Sequence, residues 1–112
     1  MLRGEIWWAK WPTDPTAKPR PVLIVSNNLR NAAPNLHDLV VVKLTSLERT
    51  DGTRKPTNPA EDIIVTLKKE TIIRCGSIFS IEKTMLQSRG AQLSIAAMKM
   101  VDEKLKRVLD LT

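Results

Sequence analysis

Apolar residues along this chain change their period once, close to Ser94. Before it they gather in short runs of strand length, broken by Pro, Gly, Asn and Asp; after it they recur at spacings of three and four, the repeat of one helix face. Glu5 to Trp11 reads E-I-W-W-A-K-W, an aromatic-rich strand that Pro12 ends, and the loop spans Pro12 to Pro19. Pro21 to Val25 is an unbroken apolar run closed by Ser26, Asn27 and Asn28, the pattern of a strand covered on both faces.

Leu39 to Leu44 repeats that pattern and leads into T-S-L-E-R-T-D-G-T-R-K-P-T-N-P, a basic loop expected to be mobile. Ile63 to Leu67 and Ile72 to Ile81 predict two or three further strands, with Lys68, Lys69 and Glu70 in the turn between them and Gly76 at a bend or bulge. In the tail, Ile95, Met98, Val101, Leu105 and Val108 fall on one helix face, with Ser94 as N-cap and Lys104, Lys106 and Arg107 in the last turns. Several short strands and one C-terminal helix predict a mainly β, α+β architecture: a small, strongly twisted antiparallel sheet or half-open barrel with the helix packed on it. At 112 residues, one domain over 1–112 is expected.

Charge adds a class of partner. Eighteen Lys and Arg against twelve Asp and Glu give +6, a field that attracts RNA, DNA or an acidic protein segment. One cysteine, Cys75, and one histidine, His37, cannot assemble a Cys/His zinc site, and no cofactor-binding motif is present, so no metal or cofactor is expected. A lone histidine beside Asn35 and Asp38 reads as solvated, with a general base as the alternative. No apolar run approaches signal-peptide length or the roughly 20 residues of a membrane span, so a soluble cytoplasmic protein is expected.

The remaining candidates are polar residues at strand ends, where rigid elements present groups to loops. Arg20, between Pro19 and Pro21, is held on a stiff extended backbone, and its planar fork suits two oxygens of a phosphate or one structural carboxylate. Thr45 and Ser46 end another strand.

Five collinear stretches carry a family resemblance: R-G-E-I-W at Arg3 to Trp7, R-P-V-L-I-V-S-N-N at Arg20 to Asn28, V-V-V-K-L-T-S at Val40 to Ser46, I-I-R-C-G-S-I-F-S-I-E-K at Ile72 to Lys83, and V-D-E-K-L at Val101 to Leu105. Together they resemble the MazF/PemK toxins over nearly the whole chain. The resemblance implies an SH3-like or CcdB-like barrel with a C-terminal helix, working as a homodimer. It also implies an endoribonuclease that cuts single-stranded RNA at short motifs without a metal, leaving 2′,3′-cyclic phosphate and 5′-hydroxyl ends. The implied partner is an antitoxin whose flexible acidic tail covers the RNA groove.

On that resemblance Arg20 is the catalytic arginine, which stabilises the phosphorane, and Thr45 is the threonine whose hydroxyl meets the scissile phosphate, with Ser46 as a weaker candidate. Two departures stand out. Where many members carry a glycine-rich loop with a glutamate, this chain has T-D-P-T-A-K-P, whose one acid is Asp14, so the general base is open. Where an acidic residue and a glutamine are common, it has Cys75, Gly76 and Ser77, which points to altered base reading.

Lys18, Lys43, Arg49, Arg54, Lys55, Lys68, Lys69 and Arg74 are candidate guides for the RNA backbone, and Ser77 a candidate base contact. Trp7, Trp8 and Trp11 are candidate stacking platforms. Period two puts Trp7 and Trp11 on one face and Trp8 on the other, at least one of them in the core, and Trp11 beside the loop is expected to be the exposed one. Two other readings stay open: a gyrase-poisoning toxin of the same fold, acting through C-terminal contacts without Arg20 and Thr45, and an SH3-like nucleic-acid-binding module without catalysis.

Overall fold

The structure, a computed structural model, describes residues 1–11, 13–16 and 18–111. Pro12 and Ala17, both in the predicted loop, and Thr112 lie outside the described residues. In chain order the elements are β1 (Glu5–Lys10), β2 (Pro19–Ile24), α1 (Asn28–Ala32), β3 (Asp38–Ser46), β4 (Asp62–Thr66), β5 (Glu70–Glu82), a short 3-10 turn (Lys83–Met85), β6 (Leu86–Gln92) and α2 (Ile95–Val108). The strands form one antiparallel sheet in the order β4-β5-β3-β2-β1-β6.

The apolar runs of β2 and β3 sit in the middle of the sheet, and both faces are covered, as their lack of alternation predicts. Leu23, Val42 and Leu44 join Ile6, Ile73, Cys75 and Val101 in a core under α2, while Val22, Ile24, Leu39 and Val41 form a second layer that Trp7, Trp11 and Leu86 cover. The α+β class with a C-terminal helix is as expected. The sheet, however, is not closed into a barrel: β4 and β6 are its two edges, and α2 packs over β4 and β5 in place of a pairing between them.

Helix α2 starts where Ser94 accepts the Ala97 N–H at 3.1 Å. Val101 is fully buried and Met98 and Leu105 pack beside it, but Ile95 is 80% exposed, because the first turn of the helix projects past the core. Consecutive residues Val42 and Lys43 of β3 face Ile78 and Arg74 of β5, so Cys75, Gly76 and Ser77 bulge out of register. The predicted two or three strands here are therefore one bent strand, whose halves serve the two core layers. At the bulge the Glu61 carboxylate occupies the space a Cβ on Gly76 would need.

Two segments of the resemblance have structural duties. Gly4, at φ +92°, makes the turn into β1 and donates its N–H to the Ile24 carbonyl at 2.9 Å. Arg3 beside it donates Nε to the Val25 carbonyl at 2.8 Å and pairs with Asp102 of α2, so the R-G-E and V-D-E stretches clasp each other. Asn27 caps α1, and buried Asn31 is hydrogen-bonded to Ser26. Among the described residues no helix is long and apolar enough to cross a membrane.

Candidate active site

Antiparallel pairing gathers the ends of β1 and β3 and the starts of β2, β5 and β6 at one end of the sheet, where they border an open groove of about 1210 Å³. The β2–β3 ladder runs through Ile24 and Val41, Leu23 and Val42, and Val22 and Lys43. Extending that register by two residues brings Arg20 opposite Thr45, and the alternation of a strand turns Arg20, Lys43 and Thr45 to one face. Arg20, Lys43, Thr45 and Ser46 all line the groove.

Arg20 is exposed, with 52% of its side chain accessible. Its Nε donates to Asp14 Oδ2 at 3.1 Å, while Asp14 Oδ1 accepts the Thr16 N–H at 2.9 Å and the Thr16 hydroxyl at 2.6 Å. Those two Thr16 bonds, and then Arg20, hold the Asp14 carboxyl down at about 2. A carboxylate so stabilised is a poor proton acceptor at neutral pH. Its work is to hold the arginine by Nε, which leaves the terminal nitrogens unengaged among the described residues.

Thr45 is half-buried and accepts a hydrogen bond from Lys55 Nζ at 2.5 Å. The loop after β3 is a small hairpin: Glu48 pairs with Arg54, Arg49 N–H donates to the Thr53 carbonyl at 2.7 Å, and Lys55 N–H to that of buried Leu47 at 2.8 Å. This backbone pinning, in a loop expected to be mobile, fixes Lys55 against the groove. Burial lowers the Lys55 pKa, and the charges of Arg74, Arg49, Lys43 and Lys69 lower it further. Such crowding of cations around one hydroxyl suits an anion.

The other candidates divide. Arg49, with Ser46, Lys55 and Lys69, lines an adjoining basin of about 740 Å³. Lys18 and Arg54 are exposed outside the lining of both, Arg54 against Glu70 at 3.8 Å. Arg74 is turned away, with Nη1 donating to Asp62 at 2.7 Å and to the Pro56 carbonyl at 3.2 Å, so its charge is felt while that end of its fork is occupied. Ser77 lies in the bulge and is not part of the groove wall. His37 precedes β3 at the opposite end of the sheet, on the order of 25 Å from Thr45 at roughly 3.4 Å per strand residue.

Trp11 lines the groove but packs edge-on against Phe79, with ring centroids 4.8 Å apart, and is half-buried. Trp8 is the exposed tryptophan, at 42%, and lies across Gly90 of edge strand β6. The expectation for Trp11 fails because β6 follows on the far side of β1 and Phe79 covers the face that Trp11 shares.

A family model described as the PemK-like, MazF-like toxin of type II toxin-antitoxin systems matches residues 2–109. The chain belongs to this family. Endoribonuclease MazF6 of Mycobacterium tuberculosis is 30% identical to it over 115 residues, spanning 99% of this chain and 98% of that protein. Endoribonuclease MazF2 of Mycobacterium bovis is similar to the same extent, 30% identical with 99% and 98% covered. A mycobacterial endoribonuclease solved in complex with its cognate antitoxin superposes with a TM-score of 0.78 at 25% identity, covering 100% of this chain and 97% of that one.

Within this PemK-like, MazF-like toxin, several groove residues carry no signal that singles them out in sequence. Ser88, Arg89 and Gly90 reach the groove through β6, whose seven residues L-Q-S-R-G-A-Q show no strand pattern. Arg89 is also tied by Nε to buried Glu5 at 3.1 Å, which fixes β6 beside β1. Phe79, the chain's one phenylalanine, was open to notice as a stacking residue on composition alone.

Proposed function

We propose that this chain is the toxin of a cytoplasmic toxin–antitoxin pair and a metal-independent endoribonuclease that cuts single-stranded RNA. The observation that carries the reading is that Arg20 and Thr45 both line one cation-rich groove, in a chain that matches the toxin family from residue 2 to 109. The substrate's own 2′-oxygen attacks the adjacent phosphorus, and negative charge accumulates on the non-bridging oxygens. The terminal nitrogens of Arg20 meet two of those oxygens, and the Thr45 hydroxyl donates to the phosphate. The bond to the 5′-oxygen then breaks; the 2′-hydroxyl's proton passes to solvent and the 5′-oxygen takes one up from solvent, leaving a 2′,3′-cyclic phosphate and a 5′-hydroxyl. Fixed donors in a preorganised site supply the charge stabilisation that a metal supplies elsewhere.

Lys43 and Lys69 hold the RNA backbone, and Trp8 offers a face to an unpaired base. An antitoxin with a flexible acidic tail competes for the same cations. The working unit is a homodimer. The test is cleavage of a mixed single-stranded RNA pool in EDTA, with sequencing of the 5′-hydroxyl ends. Wild type is expected to give discrete products and Arg20→Ala none while it stays folded. Full activity in Arg20→Ala would sink the mechanism, and growth inhibition without any RNA product would favour the gyrase-directed alternative.

A further inference from the structure

The geometry points to Lys55 as the positioning residue that makes the Thr45 hydroxyl an obligatory donor toward the substrate phosphate, a role that rests on the cleavage reading above. A lysine ammonium has three donors and no acceptor, whereas a threonine hydroxyl has one proton and two lone pairs. With Lys55 Nζ donating to Thr45 Oγ1 at 2.5 Å, one lone pair is taken and the hydroxyl proton has no acceptor on Lys55. Thr45 makes no other side-chain hydrogen bond among the described residues, and both side chains border the groove, so the proton is free to point into it.

A cation directly behind the oxygen also polarises the O–H bond and strengthens its donation to an incoming anion. Lys55 is held for this by its backbone bond to the Leu47 carbonyl, with Leu47 buried. A neutral amine at the same place carries a lone pair, which accepts the Thr45 proton and turns it away from the phosphate. The arrangement therefore works only while Lys55 is charged. Facing it are Arg74 of β5, Lys43 of β3, Arg49 of its own loop and Lys69 of the β4–β5 turn, with Glu48 and Glu70 on the wall of the adjoining basin. Burial and the four cations all favour loss of the proton below the usual lysine range, so activity falls as pH rises through that depressed value.

The experiment is steady-state cleavage of a defined single-stranded RNA in EDTA. Lys55→Met is expected to lower kcat roughly ten- to hundredfold with KM little changed, short of the loss from removing a direct oxyanion donor. Lys55→Arg keeps most of the rate and moves the alkaline limb upward, since arginine holds its proton. In a Thr45→Val background, Lys55→Met costs less than about threefold more, because the hydroxyl it orients is gone. A Lys55→Met effect confined to KM, or the same fold-loss with and without Thr45, overturns the proposal. If Lys55→Met does not fold, an alkaline limb that stays unmoved in Lys55→Arg overturns it instead. A wild type without RNA products removes the activity and this inference together; an active wild type with an equally active Lys55→Met removes the inference alone.

Discussion

Asp14 holds Arg20 by Nε, at 3.1 Å, and by no other atom of the guanidinium. A carboxylate that took both ends of the fork would occupy the geometry that binds a phosphate. By gripping the side of the fork and being gripped in turn by Thr16, Asp14 aims the arginine without consuming it. The proline-rich loop thus supplies an acid for orientation, held so far below the usual carboxylate range that it is a poor proton acceptor at neutral pH.

Asp14→Asn is expected to lower kcat by about tenfold while RNA affinity stays within roughly twofold, since the arginine keeps its charge and loses its aim. Kinetics on a short RNA in EDTA check this, and an unchanged kcat would leave Asp14 without the orienting role.

The Asp14 carboxyl has a folded pKa of about 2 against an ordinary 3.8. A depressed acid adds stability that is complete above its unfolded value and is lost as pH falls through the folded one. The contact is therefore expected to persist from neutral pH down past pH 4 and to dissolve as pH approaches about 2. A carboxyl-carbon NMR titration of Asp14 reads this directly. A midpoint near the ordinary aspartate value would break the link to Thr16 and Arg20.

Trp8, paired with Ser88 of β6, lines the groove with its indole laid against Gly90 at the β6 bulge, where a Cβ would lie 3.2 Å from Trp8 Nε1. Base–aromatic stacking is worth roughly 1–3 kcal/mol, so Trp8→Ala is expected to weaken binding of an uncleavable oligonucleotide by about five- to 150-fold. Trp11→Ala should cost less, since part of its ring is spent on Phe79. Equal losses at the two positions in a fluorescence anisotropy titration would reject the distinction.

What the chain discloses in advance follows from how local each cause is. The apolar runs of β2 and β3, the Ser94 cap and the bulge at Gly76 are written in neighbouring residues, and the structure has them where the pattern puts them. Arg20 and Thr45 were legible as strand-end polar residues, but their meeting depends on the β2–β3 register, which no short stretch encodes. Strand β6 was hidden because an edge strand needs no apolar face: L-Q-S-R-G-A-Q is a strand only through its partner β1. The same omission misassigned the tryptophans, since exposure at β1 is decided by β6 and Phe79. The bond from Lys55 to Thr45 joins residues ten apart through a hairpin whose closure rests on backbone bonds to Leu47 and Thr53.

Lys43 is exposed on the groove wall and engages no carboxylate among the described residues. A lysine that neutralises one backbone phosphate of a single strand contributes about 0.7 to the slope of log affinity against log salt. Lys43→Met is accordingly expected to flatten that slope by about 0.7 and to raise KM without lowering kcat, the reverse of the Lys55→Met pattern. Binding measured from low to moderate salt checks it. An unchanged slope means that the phosphates do not pass Lys43.

The R-G-E and V-D-E stretches look like site motifs because they help define the family, yet their geometry is that of a clasp. Arg3 reaches from the turn before β1 to the Val25 carbonyl and to Asp102, joining the start of the sheet to α2, and none of the three borders the groove. The two side chains of the pair are partly exposed, so the ion pair itself is worth no more than about 1 kcal/mol, and the hydrogen bond to Val25 adds a similar amount. Arg3→Ala is therefore expected to destabilise the fold by about 1–2 kcal/mol in urea denaturation and to leave kcat per folded molecule unchanged. Asp102→Ala should cost less, because it leaves the Val25 bond in place. Were Arg3→Ala to lower kcat in fully folded protein, the clasp would have to transmit its effect through β1 to Trp8 and the groove, and the separation of fold from chemistry drawn through these motifs would be lost.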